Sequence, residues 1–301
     1  MRLTRGRRFS GPWLQAAALL ALLASVLAHA AEPDAALQSR DRALIDAAVA
    51  AMPEAAGELP ALYVVGVAGD ATEDVFRNEA RFLVDQVAPR LGAGARALAL
   101  VNHADALDAP GAPLATPATL GHALATIGAH MRRDRDVLLL YLTMHGSPEH
   151  ELWLQLPGGG EDVITPAALR GALDAAGIVH RVVVVSACYS GGFVPALRGP
   201  DTLVLTAARR DRPSFGCGSD STITFFGHAW LLDGLNADPD FAGAHRLATR
   251  AIRQRERRLG YPRSGPQIAA GARIGGTLAR WRATLPEGVP RAAYPWPIAL
   301  D

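Results

Sequence analysis

Residues Arg181 to Gly192 read RVVVVSACYSGG, and the fold class turns on them. Four consecutive valines follow a charged residue and are closed by small residues and a Gly pair. That is the pattern of a short strand buried on both faces of a parallel sheet. Cys188 therefore stands at the carboxyl edge of a central strand, the edge where ligands bind in open α/β sheets. A second run, DVLLLYLTMHG from Asp136 to Gly146, has the same form and ends in His145. The order of alternation makes the two strands neighbours. Thiol and imidazole would then stand on adjacent strand ends, the arrangement by which a cysteine nucleophile is activated by a residue distant in sequence.

Working outward, the same alternation recurs. Strands are expected over residues 61–68, 95–101, 136–143, 181–187 and 201–207, with a short sixth over 267–270. Helices are expected over 73–91, from Thr116-Pro117 to about Met131, from Thr165-Pro166 to Gly177, and over 241–259. Residues 152–156 (LWLQL) alternate and run into Pro157-Gly-Gly-Gly160, which reads as half of a surface hairpin. Strands alternating with helices imply a three-layered α/β sandwich around a mainly parallel six-stranded sheet. There is no internal repeat.

The ends of the chain read differently. Arg2, Arg5, Arg7 and Arg8 make a basic start, Trp13 to Leu27 is uncharged and largely apolar, and Ala28-His29-Ala30 has the small-x-small form of a signal-peptidase site. This predicts a signal peptide over 1–30 and export, periplasmic or secreted, with a membrane anchor as the outcome if cleavage fails. Residues 31–58 form an N-terminal helix and linker, 59–275 the main domain, and 276–301 a Pro-rich tail that lies extended over the domain or is mobile.

Composition excludes some classes of function. With 30 basic and 29 acidic residues and a formal net charge of +1, the chain has no global field for nucleic acid or anionic membrane. The run Arg253 to Arg258 (RQRERR) sits on an expected helix with no aromatic platform, so it reads as a solvated face. Cys188 and Cys217 are the only cysteines, too few for a disulfide scaffold. A bond between them, structural or regulatory, stays open in an exported protein.

Cys188 has a bland reading as a buried structural thiol, and His145 one as a hydrogen-bonded turn residue. Each gains from the other. Gly191-Gly192 marks a sharp turn after Cys188, where backbone amides can converge on a thiolate or on the oxyanion of a tetrahedral intermediate. Gly146 allows close backbone approach, which makes its amide a second oxyanion donor. Other chemistry finds less support. His145, Glu149 and His150 lack the spacing of a zincin, and Cys188 is not in a CxxC pair, so no metal site is expected. No G-x-S-x-G elbow marks a serine hydrolase. Gly158-Gly-Gly160 opens no helix, so no phosphate cofactor is expected either.

These motifs resemble a known family. A hydrophobic strand ending His-Gly, followed by one ending Ala-Cys, resembles the caspase-like cysteine peptidases. SACYSGG, the later TAARRDRPSFGC and the early VVGVAGDATEDVFRNEA look most like the legumain family (peptidase family C13), including its bacterial members. The similarity spans roughly residues 62–270. It implies a caspase-like sandwich and a thiol peptidase with Cys188 as nucleophile, His145 as acid/base, and the amides of Gly146 and Cys188 as oxyanion hole. Attack on a peptide carbonyl would give an acyl-enzyme that water hydrolyses. A relative that resolves it with an amine is a transpeptidase.

The resemblance also carries over a substrate pocket. Arg77 falls where legumains keep a pocket arginine, and Ser214-Phe215 matches their Ser-Tyr pair. Their acid two before the nucleophile is Ser186 here, and a later acid corresponds to His228. The asparagine near their catalytic pair aligns with Val75. A pocket that keeps Arg77 without those acids is more cationic, which predicts preference for an acidic side chain. The plainer reading of Arg77 is a salt bridge to Glu73 or Asp74. The resulting expectation is an exported cysteine endopeptidase acting on peptide or protein substrates without a cofactor. A transpeptidase, and a noncatalytic binding protein with Cys188 oxidised to Cys217, are the alternatives.

Overall fold

The computed structural model describes residues 35–109, 111–218, 220–288 and 290–298. The expected signal segment lies outside them. The chain falls into two units, Met1–Arg40 and Asp41–Asp301. Residues 35–40 of the first are helical. The second holds the sheet and the candidate site.

Six strands form the central sheet: β1 (Leu62–Ala68), β2 (Ala97–Val101), β3 (Val137–Thr143), β6 (His180–Ser186), β7 (Thr202–Thr206) and β8 (Gln267–Ala270). Their order is β2-β1-β3-β6-β7-β8, and all neighbours are parallel except the edge pair β7 and β8. The mainly parallel six-stranded α/β sandwich expected from the alternation is therefore what the chain forms. The predicted β3–β6 adjacency holds as well.

The unbroken apolar runs have a simple cause. Alternate residues of each central strand face opposite layers, and both layers are dry. Leu138, Leu140, Val183 and Val185 pack with Ile45 and Val49 of α1 (residues 41–50 within this unit) and with Leu124 of α3 (Pro117–His130) and Leu173 of α4 (Pro166–Ala175). Leu139, Tyr141, Val182 and Val184 face the other way. They share a cluster with Phe82 and Leu83, beyond α2 (Asp74–Arg81), and with Trp230, Phe241 and Trp281. Each such side chain, fully buried, contributes roughly 1.5–3 kcal/mol, so a polar residue in either run would undo the layer it faces.

Helix starts follow the sequence signals. Thr116 forms a capping box with Thr119 and precedes Pro117 at the first helical position, and the Thr165 hydroxyl accepts from the Ala168 amide at 3.2 Å. The expected hairpin is β4 (Leu152–Gln155) paired with β5 (Glu161–Ile164).

Besides the short helical stretches Ala104–Leu107, Ser190–Phe193 and Val194–Leu197, two longer elements had no counterpart in the sequence reading. Gly227–Leu235 (α5) is a π-helix, unexpected because Gly227 and Gly234 are poor helix formers. Packing explains both glycines: a methyl at Gly227 would collide with the Glu79 carboxylate, and one at Gly234 would lie 2.9 Å from the Ala244 methyl. Ile274–Arg282 (α7) crosses the expected start of the tail, anchored by Trp281 stacked on Phe241 at 5.0 Å. Beyond it the tail runs without regular structure over the domain, with the Tyr294 hydroxyl donating to the Thr222 carbonyl at 2.6 Å.

His245, on α6 (Phe241–Leu259), is 2 % exposed, and burial pushes its imidazole down to about 4. Unfolded, the same ring takes a proton near its ordinary 6.5. Between those values the unfolded chain binds more protons, so this contribution is complete above pH 6.5 and drains away as pH falls toward 4. Urea titrations at pH 7 and pH 4 should show His245→Phe losing about 3 kcal/mol less than the parent over that interval.

Candidate functional site

Three strand ends carry the site. Ala68 of β1 pairs in register with Thr143 of β3, and Thr143 pairs with Ser186 of β6. The ladder continues one residue further: the Gly69 amide donates to the Thr143 carbonyl at 3.1 Å, and the Met144 amide to the Ser186 carbonyl at 3.3 Å. Two residues past each of those positions stand Asp70, His145 and Cys188. The in-register strand ends therefore carry the segments bearing the carboxylate, the imidazole and the thiol to the same carboxyl edge of the sheet.

The thiol sits in a cradle made by Ser214. The Ser214 amide donates to Cys188 Sγ at 3.3 Å, its hydroxyl lies 3.7 Å away, and the S–H faces the Ser214 carbonyl at 3.5 Å. Amide and hydroxyl donors can stabilise a thiolate; the carbonyl accepts from the neutral thiol. The next residue turns the chain sharply. Tyr189 adopts φ 54°, in the left-handed region, which costs a bulky residue roughly 1–3 kcal/mol. Its amide bond to the Arg212 carbonyl at 2.8 Å and the Gly192 amide bond to its own carbonyl at 3.0 Å hold it there.

Gly146 lies against the same turn, where an added methyl would strike the Cys188 carbonyl oxygen. Gly146 also bridges Leu152, with the bonds supplied on either side by the amides of Ser147 and Trp153. The Gly146 N–H is thus not drawn into that bridge, and it stands beside the thiol-bearing turn. The two backbones that carry the Gly146 and Cys188 amides approach each other here.

His145 is held from the α2 side. Phe76 packs edge-on against its ring at 5.0 Å. Its Nε2 lies 3.5 Å from Glu73 Oε1 and 3.8 Å from Asp70 Oδ2. Neither carboxylate was singled out from sequence. For Asp70 a signal existed, since GVAGD ends a strand at the same edge; for Glu73, the residue just before α2, none did.

Beneath these strand ends lies a buried acid. Glu79, on α2 and fully buried, accepts from the Tyr141 hydroxyl at 2.6 Å, the Thr143 hydroxyl at 2.7 Å and the Thr224 amide at 2.7 Å. Burial pushes its carboxyl up from the ordinary value, against those bonds. The acid ties α2 to the end of β3, two residues before His145. Ser186 joins the edge of this network, its hydroxyl 3.5 Å from that of Thr224.

The pocket residues carried over by resemblance separate. Ser186 and Ser214 lie at this edge, but Arg77 turns toward Asp105 (2.6 Å), Asp74 (3.1 Å) and His103 (3.4 Å). Although partial burial raises the Asp105 carboxyl, its bonds to Arg77 and His103 bring it below its usual value. A guanidinium answered by two carboxylates does not make the cationic pocket expected of it; the plainer salt bridge to Asp74 is formed. His228 meets Arg255 at 3.3 Å and Asp233 at 3.8 Å. Cys188 and Cys217 are free thiols, and desolvation, with the nearby Cys188 and Glu73, pushes Cys217 up to about 11. Among the described residues no three His, Cys, Asp or Glu side chains are grouped to hold a metal ion.

Residues 121–255 match the model of the Peptidase C13 family, a span that includes both His145 and Cys188. No curated protein matches the chain. Among solved structures it is similar to caspase-1 from Spodoptera frugiperda, with 12% identity over 73% of this chain and 93% of that one, at a TM-score of 0.48.

The contact of Gly146 with the Cys188 carbonyl predicts that Gly146→Ala forces the two strand ends apart. The expected cost is about 1–3 kcal/mol of stability by thermal unfolding, with slower alkylation of Cys188 by iodoacetamide in the variant that remains folded.

Proposed function

Because residues 121–255 match the Peptidase C13 family, we propose that this chain is a cysteine peptidase of that family, an endopeptidase with Cys188 as nucleophile and His145 as acid/base. The observation that carries this reading is the in-register pairing of β3 with β6, two residues short of the imidazole and the thiol.

The chemistry follows from this edge. His145 takes the thiol proton, and the Ser214 amide and hydroxyl support the thiolate left behind. The thiolate adds to a peptide carbonyl, whose oxygen gains the negative charge and is met by the Gly146 and Cys188 amides. His145 then returns the proton to the departing amine, leaving a thioester on Cys188. Water, deprotonated by the same imidazole, hydrolyses it and restores the thiol.

The substrate is a peptide or protein segment. The pairing of Arg77 with Asp74 and Asp105 removes the basis for an acidic preference. The basic start, apolar stretch and small-x-small site of residues 1–30 support action after export. Among the described residues, no helix is long and apolar enough to cross a membrane.

Digestion of a peptide library with the protein and its variants tests this. Cys188→Ala and His145→Ala should each abolish cleavage without lowering the melting temperature, while Cys217→Ala keeps most of it. Undiminished cleavage by Cys188→Ala would refute the assignment.

A further inference from the structure

The row of strand ends holds a third participant. We propose that Asp70 and Glu73 together form the positioning group for His145, fixing which nitrogen faces the thiol and holding the imidazolium that forms when the thiol proton moves. This inference rests on the peptidase reading for its kinetic consequences, but its geometry is independent of substrate.

Each carboxylate has one oxygen tied down and the other directed at the same ring nitrogen. Asp70 Oδ1 accepts from the Thr72 amide at 2.7 Å, the Thr72 hydroxyl at 2.8 Å and the Glu73 amide at 3.0 Å. Its Oδ2 is the atom 3.8 Å from His145 Nε2. Glu73 Oε2 accepts from the Gly218 amide at 3.0 Å, and its Oε1 lies 3.5 Å from the same Nε2. The side chains of Asp70 and Glu73 are only 7% and 19% exposed, so solvent screens them little. Neither is neutralised by a cation in the contacts described above.

Two consequences follow. With Nε2 directed at carboxylates, the tautomer carrying hydrogen on Nε2 is favoured, and Nδ1 is the nitrogen left to accept from Cys188. When the thiol proton moves to Nδ1, the S–H bond breaks, an N–H bond forms, and the imidazolium sits against two negative groups. The present separations are long for hydrogen bonds, as they often are before substrate binds. Phe76 packs edge-on against the ring at 5.0 Å, which limits its rotation out of this orientation.

The arrangement is also mechanically connected. Glu73 reaches Gly218, in the loop that carries Ser214 to the sulfur. One side chain thus spans the imidazole support and the thiol cradle. The family's asparagine, which aligns with Val75, is absent here, and these acids stand at Nε2 of the ring.

Glu73→Gln is the decisive variant, since it keeps an acceptor for the Gly218 amide while removing the charge. Relative to the parent, kcat should fall about tenfold to a hundredfold with KM changed less than twofold. Cys188 alkylation by iodoacetamide at pH 7 should slow in parallel at an unchanged melting temperature. Glu73→Asp should recover part of both rates, and Asp70→Asn with Glu73→Gln should lose more than either alone. Unchanged kcat and unchanged alkylation in Glu73→Gln would overturn the proposal. So would a loss confined to KM, or one accompanied by a matching fall in melting temperature. If the parent cleaves no peptide, yet its Cys188 alkylation still depends on Glu73, the positioning role stands and the peptidase reading fails.

Discussion

Everything at the candidate site depends on the register between β3 and β6. Thr143 opposite Ser186 puts two residues of continuing chain on each strand, and those two residues end in an imidazole and a thiol. A slip of one residue would turn one side chain to the opposite face. The slip is prevented from both sides of the sheet, because Leu138, Leu140, Val183 and Val185 fill one dry layer while Leu139, Val182 and Val184 fill the other. The core thus fixes position as well as stability.

Around this register the polar groups are connected and mostly buried. Glu79 joins α2 to Tyr141, Thr143 and the Thr224 amide, and α2 in turn brings Glu73 and Phe76 to His145. Buried carboxylates are costly unless bonded, and Glu79 meets that condition with three donors. The glycine at position 227 exists to admit this acid. A feature that looks like a weakness in α5 is a requirement of the strand end it supports.

The fold was largely legible in the sequence because its signal is local: unbroken apolar strands, Thr-Pro helix starts and Gly stops. His145 and Cys188 were legible because strand-end position is readable from the same runs. What escaped was set by packing at long range. The π-helical α5 reads as a poor helix until the Glu79 and Ala244 contacts are known, and α7 looks like tail until Trp281 meets Phe241. Arg77 was open to two readings from sequence; only Asp105, far along the chain, decides between a pocket cation and an ion pair. Glu73 was invisible because its partners, the Gly218 amide and the His145 ring, lie far along the chain.

The central claim is that the sulfur of Cys188 attacks a peptide carbonyl with help from His145. The most direct measurement is the intact mass of the protein quenched in acid during turnover of a peptide ester, followed by mapping of any adduct. The account predicts an acyl group on Cys188 that accumulates in the parent and is missing in His145→Ala. Turnover with no acylated protein, or an acyl group mapped to Cys217, would contradict it.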